Sequence, residues 1–549
     1  MKFLKIFSIP ATPEEKREKR KQQLLCILSG IIMGISFPPF PLPYLIFIAF
    51  IPYLFVLQKR GTLASISRVT YLTTFVFTLV TLYWVGSWTK EADPFLMVSG
   101  VLLMFVNPAL YLIPSTLYYF AQKLFNRRTA LFLLPLFWGA FEYVYTLTDL
   151  RFPWLTLGNS LPNFNLFIQI VDIIGANGLT LIILYINIFI YLAFMEIKRD
   201  RKLSVRYFRI AILIFIIPIF YGVYKSINYS EADKKIKVGL IQPNLNPWDK
   251  WSGGDINEQM DLYFELSRKA VEQDAELIVW PESALPVYLL SGNYPAEVER
   301  IQNFVDANKI FLLTGMPDIN FYFNSTDIPK EAKKTKSGVF YTSYNSLLFF
   351  KPEAKQIDKY GKMMLVPFGE KVPFVEELPF LGDLIKWQVG ISSWNVGKEK
   401  TVFKMNDIKI GGVICIESIY PDFVSRFVDK GAELIAVVTN DSWYGYSSGP
   451  FQHKDIAVLR AVENRRSVVR AANGGISCLI DPMGKIVNQT DLFTKTFLVA
   501  DVPLNSEKTF YTRFPLIIPL LCSAFALATI MFFIYNKLSQ KFNKRARKQ

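Results

Sequence analysis

The sequence predicts a polytopic α-helical membrane protein that carries one α/β domain. Hydrophobic residues make up 51% of the 549 residues and aromatic residues 15%, and the mean hydropathy of +0.26 is high for a soluble protein. Apolar runs near the length of about 20 residues that spans a bilayer occupy most of the first 225 positions. Between 230 and 510, short strand-like runs alternate with polar helical stretches, which is the pattern of an α/β domain.

Eight apolar runs are interpreted as membrane spans. They lie near 24–37, 43–57, 69–87, 96–121, 129–147, 178–195, 207–224 and 514–535. The first run is short and follows a basic segment, so a signal peptide is the alternative there, but no small-x-small cleavage site precedes Pro38. The predicted organisation is a basic N-terminus at 1–23, seven spans over 24–224, a globular domain at 230–510, a final span at 514–535 and a basic tail at 536–549.

The basic residues indicate the orientation in the membrane. They cluster in 2–21, 59–68, 123–128, 198–209 and 537–548, which are the two ends and every second loop. Because Lys and Arg are concentrated in cytoplasmic loops of membrane proteins, both termini are predicted to be cytoplasmic and 230–510 extracytoplasmic. This placement accounts for the net charge of +15 without a nucleic-acid partner.

Three short islands in the globular domain carry the parts for acyl transfer. Glu282 follows a buried-strand pattern, Lys362 lies in the turn Tyr360-Gly361-Lys362, and Cys415 ends the apolar run Val413–Cys415. A thiol can attack an acyl carbon while a carboxylate takes its proton and an ammonium holds the developing oxyanion. Taken singly, the three residues are better interpreted as a turn-capping carboxylate, a solvated lysine and a buried cysteine. Their joint occurrence favours the catalytic interpretation.

The chain also offers one rival base and one rival role for the thiol. His453 is the single histidine, which excludes HExxH metal sites but leaves a Cys–His pair as an alternative. It opens a predicted helix that runs to about Asn464, where a structural role is more usual. Of the four cysteines, Cys478 could bridge to Cys415, but that bridge would remove the nucleophile. No CxxC pattern is present, so neither a zinc site nor any other metal or cofactor is expected.

The three islands resemble the nitrilase, or carbon–nitrogen hydrolase, superfamily, whose triad is Glu, Lys and Cys in that chain order. A nitrilase-like domain between several spans and one last span is similar to the apolipoprotein N-acyltransferase family. The matching segments are Gln242 with Lys250-Trp251, Tyr344-Asn345-Ser346, Leu365–Glu370, Asn440–Gly445 for the pattern Asn-Asp-x-Trp-Phe-Gly, Gln452-His453, Asn473–Ile476 and Phe152–Leu155. The resemblance implies an αββα sandwich for the globular domain.

One departure from the family pattern lies beside the nucleophile. The family commonly has tyrosine after the cysteine, where this chain has Ile416. A hydroxyl near the site is therefore lost at that position.

The resemblance implies a two-step reaction. A membrane phospholipid would donate a fatty acyl chain to Cys415, and the α-amine of the N-terminal diacylglyceryl cysteine of an apolipoprotein would then take it, in the last step of lipoprotein maturation. Glu282 would be the base, and Lys362 with a backbone N–H near Ile416 would hold the oxyanion.

Further residues are assigned supporting roles. Glu370, Glu417 and Asn345 are expected to support the triad, although the two glutamates fit equally well as surface or capping carboxylates. Trp251 and Trp443 are candidates for contact with acyl chains, and packing is the alternative for both. A monomer in the inner membrane of a bacterium, with a periplasmic catalytic domain, is expected. Two alternatives stay open, which are a membrane-tethered amidase or nitrilase that uses water and a non-catalytic lipid-binding relative.

Overall fold

The computed structural model describes residues 12–88, 94–251, 255–324, 327–374 and 394–546. Helices dominate the part that precedes residue 228. These helices are α1 (Pro13–Ile35), α2 (Ile51–Leu57), α3 (Leu63–Leu82), α4 (Pro94–Leu110), α5 (Leu112–Leu124), α6 (Arg127–Thr146), α7 (Asn165–Ile168), α8 (Val171–Glu196) and α9 (Arg201–Ile227).

Five helical segments in the described residues are long and apolar enough to cross a membrane. They are Leu63–Gly86, Leu96–Leu124, Val171–Glu196, Arg201–Ile227 and Ile517–Ala546. The other three predicted spans fall on α1, on α6 and on a short 3-10 turn that leads into α2. The polytopic helical architecture is therefore confirmed, and the number of eight spans stays a prediction.

Two of the predicted spans are broken rather than continuous. The run 96–121 divides into α4 and α5, which meet at Tyr111 three residues before Pro114. Pro114 cannot donate the backbone hydrogen bond to the Leu110 carbonyl that an uninterrupted helix needs, which favours a break there. The run 43–57 begins as the 3-10 turn Pro43–Phe47 and becomes α-helical only at Ile51.

Strands form the core of the C-terminal part. They are β1 (Lys235–Gln242), β2 (Leu277–Trp280), β3 (Phe311–Tyr322), β4 (Lys333–Lys334), β5 (Phe340–Phe350), β6 (Asp358–Gly361), β7 (Val402–Met405), β8 (Ile408–Ile414), β9 (Leu434–Thr439), β10 (Ser467–Ala472), β11 (Cys478–Ile480), β12 (Ile486–Gln489) and β13 (Thr496–Pro503). One sheet has the order β13-β1-β2-β3-β5-β4, with β6 also paired to β5, and the other has the order β12-β11-β10-β9-β8-β7. Parallel pairing joins β1, β2 and β3 in the first sheet and β8, β9 and β10 in the second.

Further helices accompany the strands and close the chain. They are α10 (Pro247–Trp251), α11 (Ile256–Val271), α12 (Pro295–Asn308), α13 (Pro421–Asp429), α14 (Ser448–Asn464), α15 (Phe510–Arg513) and α16 (Ile517–Ala546).

Side chains that alternate in direction along each strand build two hydrophobic cores, one on each face of the sheet. In β2, Leu277 and Val279 belong to the core shared by the two sheets, with α13 and α14 behind the second sheet. Ile278 and Trp280 belong to a separate core with α11 and α12. Successive side chains of a strand point to opposite faces, so each sheet buries one face against the other sheet and one against helices. The predicted αββα sandwich is confirmed.

A buried glutamine joins the two halves of the chain. The Gln452 side-chain carbonyl accepts hydrogen bonds from the indole N–H groups of Trp84 at 3.1 Å and Trp154 at 2.7 Å. Its amide donates to the backbone carbonyls of Pro38 at 2.9 Å and Thr81 at 3.1 Å. Because all four polar positions of one buried amide are satisfied across this boundary, the α/β domain is held in a fixed orientation on the helices.

A second junction lies where α8 is interrupted. Gly175 has φ +63°, and a Cβ there would lie 2.2 Å from the ring of Tyr511. Only glycine fits this conformation and this close approach. The interruption frees the backbone N–H of Ala176, which donates to Glu463 of α14 at 2.9 Å.

Candidate active site

One cavity brings the three predicted catalytic residues together. Its volume is about 140 Å³, and its walls include Glu282, Lys362 and Cys415. The other lining residues are Leu96, Trp248, Ser283, Asn345, Val366, Gly369, Glu370, Trp394, Asn440, Trp443 and Tyr444.

Cys415 lies where β8 ends and a short 3-10 turn begins. Its φ of +51° belongs to the left-handed region, which is a strained position for a residue with a side chain. Its backbone carbonyl accepts hydrogen bonds from the Ser418 hydroxyl at 2.8 Å and from His453 Nε2 at 3.1 Å. A sharp strand-to-helix turn of this kind presents a nucleophile at the edge of a sheet.

The thiol of Cys415 needs a base. Burial raises its pKa, the charge of the Glu282 carboxylate raises it further, and the Lys362 ammonium opposes both. The thiol therefore stays protonated at neutral pH, and attack on an acyl carbon requires transfer of its proton.

Glu282 lies two residues beyond β2, at the end of the first sheet that faces β8 and β9. Its Oε2 accepts from the backbone N–H of Asn440 at 3.1 Å. Its Oε1 accepts from Asn345 Nδ2 at 2.8 Å and from Lys362 Nζ at 3.2 Å. Parallel strands bring their carboxyl ends to one edge, which explains why residues far apart in sequence converge here.

Lys362 follows β6 and is 1% exposed. Its Nζ lies 2.8 Å from Glu370 Oε1 and 3.2 Å from Glu282 Oε1. Burial alone would lower the pKa of Lys362, but the two carboxylates outweigh burial and raise its pKa well above the usual range. The side chain is thus a fixed ammonium at the cavity wall.

Glu370 and Asn345 hold this ammonium in place. Asn345 Nδ2 donates to Glu370 Oε1 at 2.9 Å as well as to Glu282. Glu370 Oε2 accepts from the backbone N–H of Val366 at 2.9 Å, which closes the loop that carries the carboxylate. Both residues therefore lie where the sequence analysis expects support for Lys362.

Glu417 supports Lys362 through the backbone and not through Nζ. The Glu417 side chain is fully buried. Its Oε1 accepts from Tyr360 Oη and from the backbone N–H of Met363, both at 2.7 Å, and its Oε2 accepts from the backbone N–H of Ile414 at 2.8 Å. One carboxylate therefore ties the segment around Lys362 to the end of the strand before Cys415.

His453 lies behind the nucleophile. Its Nε2 is 3.1 Å from the Cys415 carbonyl and 3.1 Å from Ser418 Oγ, and its Nδ1 is 2.9 Å from Asp441 Oδ1. Both ring nitrogens thus contact groups other than the thiol. Burial, together with the charge of Arg470, lowers the pKa of His453. This geometry favours a structural role for the single histidine.

Of the two tryptophans predicted to contact acyl chains, only Trp443 can be placed relative to the cavity. Trp443 lines the cavity, and its ring packs edge-on against Trp248 with centroids 4.8 Å apart. Trp251 ends α10, and its side chain lies outside the described part of the chain. Trp248, which the sequence analysis did not select, also lines the cavity.

The other three cysteines do not line the cavity. All four cysteines are free thiols, and Cys478 is buried in β11. Among the residues that the structure describes, no group of three or more His, Cys, Asp or Glu side chains could hold a metal ion.

Lys250 is a buried cation that sequence patterns did not reveal as such. Its side chain is 3% exposed, and its Nζ has no hydrogen-bond partner within the described ranges. Burial lowers the pKa of Lys250 to about 7, and the charge of Glu282 opposes this shift only in part. A lysine in a polar-rich segment is ordinarily solvated, so only the tertiary structure identifies this one.

Lys250→Met is expected to raise the thermal unfolding midpoint in detergent by several degrees near about pH 6, because it removes a buried unpaired charge. An unfolded lysine keeps its proton up to a pKa of about 10.4. Between the folded pKa of about 7 and the unfolded pKa of about 10.4, Lys250 is protonated only in the unfolded state. The destabilisation caused by burying this side chain therefore shrinks as the pH rises. The gain should therefore disappear near about pH 10. A gain that is equal at both pH values would contradict the assignment of a buried, titrating ammonium.

Comparison with known proteins gives matches over most of the chain. The family model described as Carbon-nitrogen hydrolase matches residues 237–510, and the one described as Apolipoprotein N-acyltransferase N-terminal domain matches residues 29–189. A protein of Chlorobaculum tepidum named apolipoprotein N-acyltransferase is 35% identical over 518 residues, which cover 92% of this chain and 95% of the relative. Relatives of the same name from Geobacter metallireducens and Rickettsia bellii are each 31% identical and cover 90% and 94% of this chain and 92% and 97% of their own lengths.

Proposed function

The chain belongs to the apolipoprotein N-acyltransferase family, and from this premise we propose that it transfers a fatty acyl chain from a membrane phospholipid to the α-amine of the N-terminal diacylglyceryl cysteine of an apolipoprotein. The transfer passes through a thioester at Cys415 and is the last step of lipoprotein maturation. The observation that carries this proposal is the shared cavity of Cys415, Glu282 and Lys362, in which the nucleophile, a carboxylate and a fixed ammonium meet.

In the first step Glu282 takes the proton of the Cys415 thiol as sulfur attacks the ester carbonyl of the phospholipid. The Lys362 ammonium and the backbone N–H of Ile416 stabilise the oxyanion of the tetrahedral intermediate. Collapse of the intermediate breaks the ester C–O bond. The leaving lysophospholipid oxygen receives the proton from Glu282, and the acyl group remains on sulfur.

In the second step the α-amine of the apolipoprotein attacks the thioester carbon. Glu282 takes a proton from the attacking nitrogen, and the C–S bond breaks. The sulfur then recovers that proton from Glu282, so the enzyme returns to its starting state and the product is an amide. Division of the transfer into two steps lets two bulky lipids use one pocket in turn.

The surroundings of the cavity suit substrates that reside in a membrane. Leu96, which lies at the start of a segment long and apolar enough to cross a bilayer, forms part of the cavity wall. Apolar side chains of Val366 and Trp443 line the same space. The acyl ester can therefore reach Cys415 while most of the lipid stays outside the cavity.

Acceptor dependence tests the proposal. Purified protein given phospholipid alone should release about one lysophospholipid per enzyme and stop, as expected for a covalent intermediate in a site that excludes water. A peptide that begins with a diacylglyceryl cysteine should restart the release and yield an N-acyl product, and the same peptide with a blocked α-amine should not. Continuous release of fatty acid without acceptor would identify a hydrolase, and binding without lysolipid release would identify a non-catalytic lipid-binding protein.

We also propose that the α/β domain is periplasmic, that both termini are cytoplasmic, and that one chain in the inner membrane of a bacterium suffices for activity. The distribution of basic loops in the sequence supports the orientation. The cavity lining, which comes from one chain, supports activity of a single chain.

A reporter that is active only in the periplasm should be active when fused after Ser230 and silent when fused after Gln549. The reason is that basic segments stay on the cytoplasmic side, so an odd number of spans must precede the α/β domain. A cytoplasmic reporter at the same two positions serves as the control and should give the opposite pattern. Periplasmic activity at Gln549 with none at Ser230 would overturn the orientation.

A further inference from the structure

We propose that the Tyr444 hydroxyl donates a hydrogen bond to the oxyanion formed at the reacting carbon, beside Lys362. This inference rests on the proposed function. Tyr444 lines the same cavity as Cys415, Glu282 and Lys362. Its phenol adds one O–H donor to the residues of this wall.

The backbone that carries Tyr444 is firmly anchored. It ends the 3-10 turn Asp441–Tyr444, which directly follows β9 and Asn440. Asp441 contacts His453 at 2.9 Å, accepts from Thr439 Oγ1 at 3.0 Å and forms a buried ion pair with Arg470. These bonds fix the start of the turn relative to the second sheet.

The ring of Tyr444 is held from the membrane side. It packs edge-on against Trp84, with centroids 4.8 Å apart and an interplanar angle of 79°. The Trp84 indole N–H in turn lies 3.0 Å from the Thr81 carbonyl and 3.1 Å from Gln452 Oε1. Aromatic pairs in this arrangement are favourable, and a donor that is fixed before the reaction needs no reorganisation during it.

The chemistry of the phenol suits a hydrogen-bond donor. Burial raises the pKa of Tyr444, and the nearby acidic groups Cys415, Asp441, Glu370 and Glu282 raise it further. The hydroxyl therefore keeps its proton over the whole range in which the enzyme could work. It can stabilise an oxyanion by donation without giving up the proton.

Two positions near the nucleophile differ in the group that they offer. Tyr444 carries a phenol, whereas Ile416, the residue after the nucleophile, carries none. The Ile416 side chain is 2% exposed and apolar. This chain therefore supplies a phenolic hydroxyl to the cavity from the turn after β9 and not from the residue after the nucleophile.

Tyr444→Phe tests the proposal, because it removes the hydroxyl and keeps the ring against Trp84. The rate constant for thioester formation from saturating phospholipid should fall about 100-fold, the lower end of the range for loss of one oxyanion donor, while KM stays within about twofold. Alkylation of Cys415 by iodoacetamide should be unchanged, because substitution at a saturated carbon forms no oxyanion. Tyr446→Phe is the matched control, since Tyr446 is 81% exposed, and it should behave like the unaltered protein.

The outcomes separate the proposal from its premise. Normal acylation by Tyr444→Phe, or equal losses in acylation and alkylation, would overturn the donor role. Incorporation of 3-fluorotyrosine at position 444 makes the phenol a stronger hydrogen-bond donor, so the acylation rate should stay the same or rise. This variant also serves if the phenylalanine variant is unstable. A lower acylation rate with 3-fluorotyrosine would overturn the donor role. If the unaltered protein forms no thioester at all, the proposed function itself fails.

Discussion

Replacement of Cys415 by alanine is expected to abolish acyl transfer, with a loss of at least about 10⁴-fold in turnover, the scale seen when a catalytic nucleophile is removed. The reason is that Cys415 is the one thiol in the cavity, and the other groups there can stabilise an intermediate but cannot form the thioester. The measurement is formation of N-acyl peptide from phospholipid and a diacylglyceryl-cysteine peptide. Because the Cys415 side chain is small and partly exposed, the variant should fold normally.

His453→Gln is the comparison that separates two mechanisms. Glutamine can still donate to the Cys415 carbonyl, which is the contact that His453 Nε2 makes. The variant should lose thermal stability but keep acyl transfer within about tenfold, since the histidine is not the base. A folded His453→Gln protein as inactive as Cys415→Ala would favour a Cys–His mechanism.

Glu282→Gln should produce the second large effect, a loss of about 10²- to 10⁴-fold in the rate of thioester formation, the usual contribution of a positioned base. Glutamine keeps the size of the side chain and can still accept hydrogen bonds from Asn345 and Lys362, but it cannot take the thiol proton. The same variant should not slow alkylation of Cys415 by iodoacetamide, because removal of the Glu282 charge lowers the pKa of the thiol and favours the thiolate that this reaction needs.

Glu370→Gln is the matched control for Glu282. Both carboxylates contact Lys362 Nζ, and the charge of Glu282 is the strongest influence on the pKa of Cys415 after burial. Glu370→Gln should therefore weaken acyl transfer less than Glu282→Gln and leave the alkylation rate near that of the unaltered protein. Equal losses of acyl transfer for the two variants would contradict the assignment of Glu282 as the base.

Sequence patterns predicted which residues meet in the cavity better than they predicted the contacts between those residues. Glu282, Lys362 and Cys415 stand in short motifs at strand ends or in turns, and strand ends of parallel sheets converge, so their meeting in one cavity was predictable. Glu370 and Glu417 looked alike as supports for Lys362. Which of them reaches Nζ depends on how two loops pack, and that packing leaves no local signal in the sequence.

Other features needed the tertiary structure. Lys250 and Tyr444 are ordinary residue types in polar surroundings of the sequence, and their importance comes from burial and from the neighbours across the fold. Leu96 belongs to the helical half, and hydropathy alone gave no sign that it lines the cavity. Hydropathy likewise indicated an unbroken span over 96–121, because apolar content does not report the break between α4 and α5.

The mass of the Cys415 peptide tests the central claim most directly. Protein incubated with phospholipid alone, then digested and analysed by mass spectrometry, should show one fatty acyl group on Cys415 that hydroxylamine removes. Addition of a diacylglyceryl-cysteine peptide should clear that adduct and leave the acyl group on the α-amine of the peptide. An unmodified Cys415 under every condition, with N-acyl peptide still formed, would contradict the thioester mechanism.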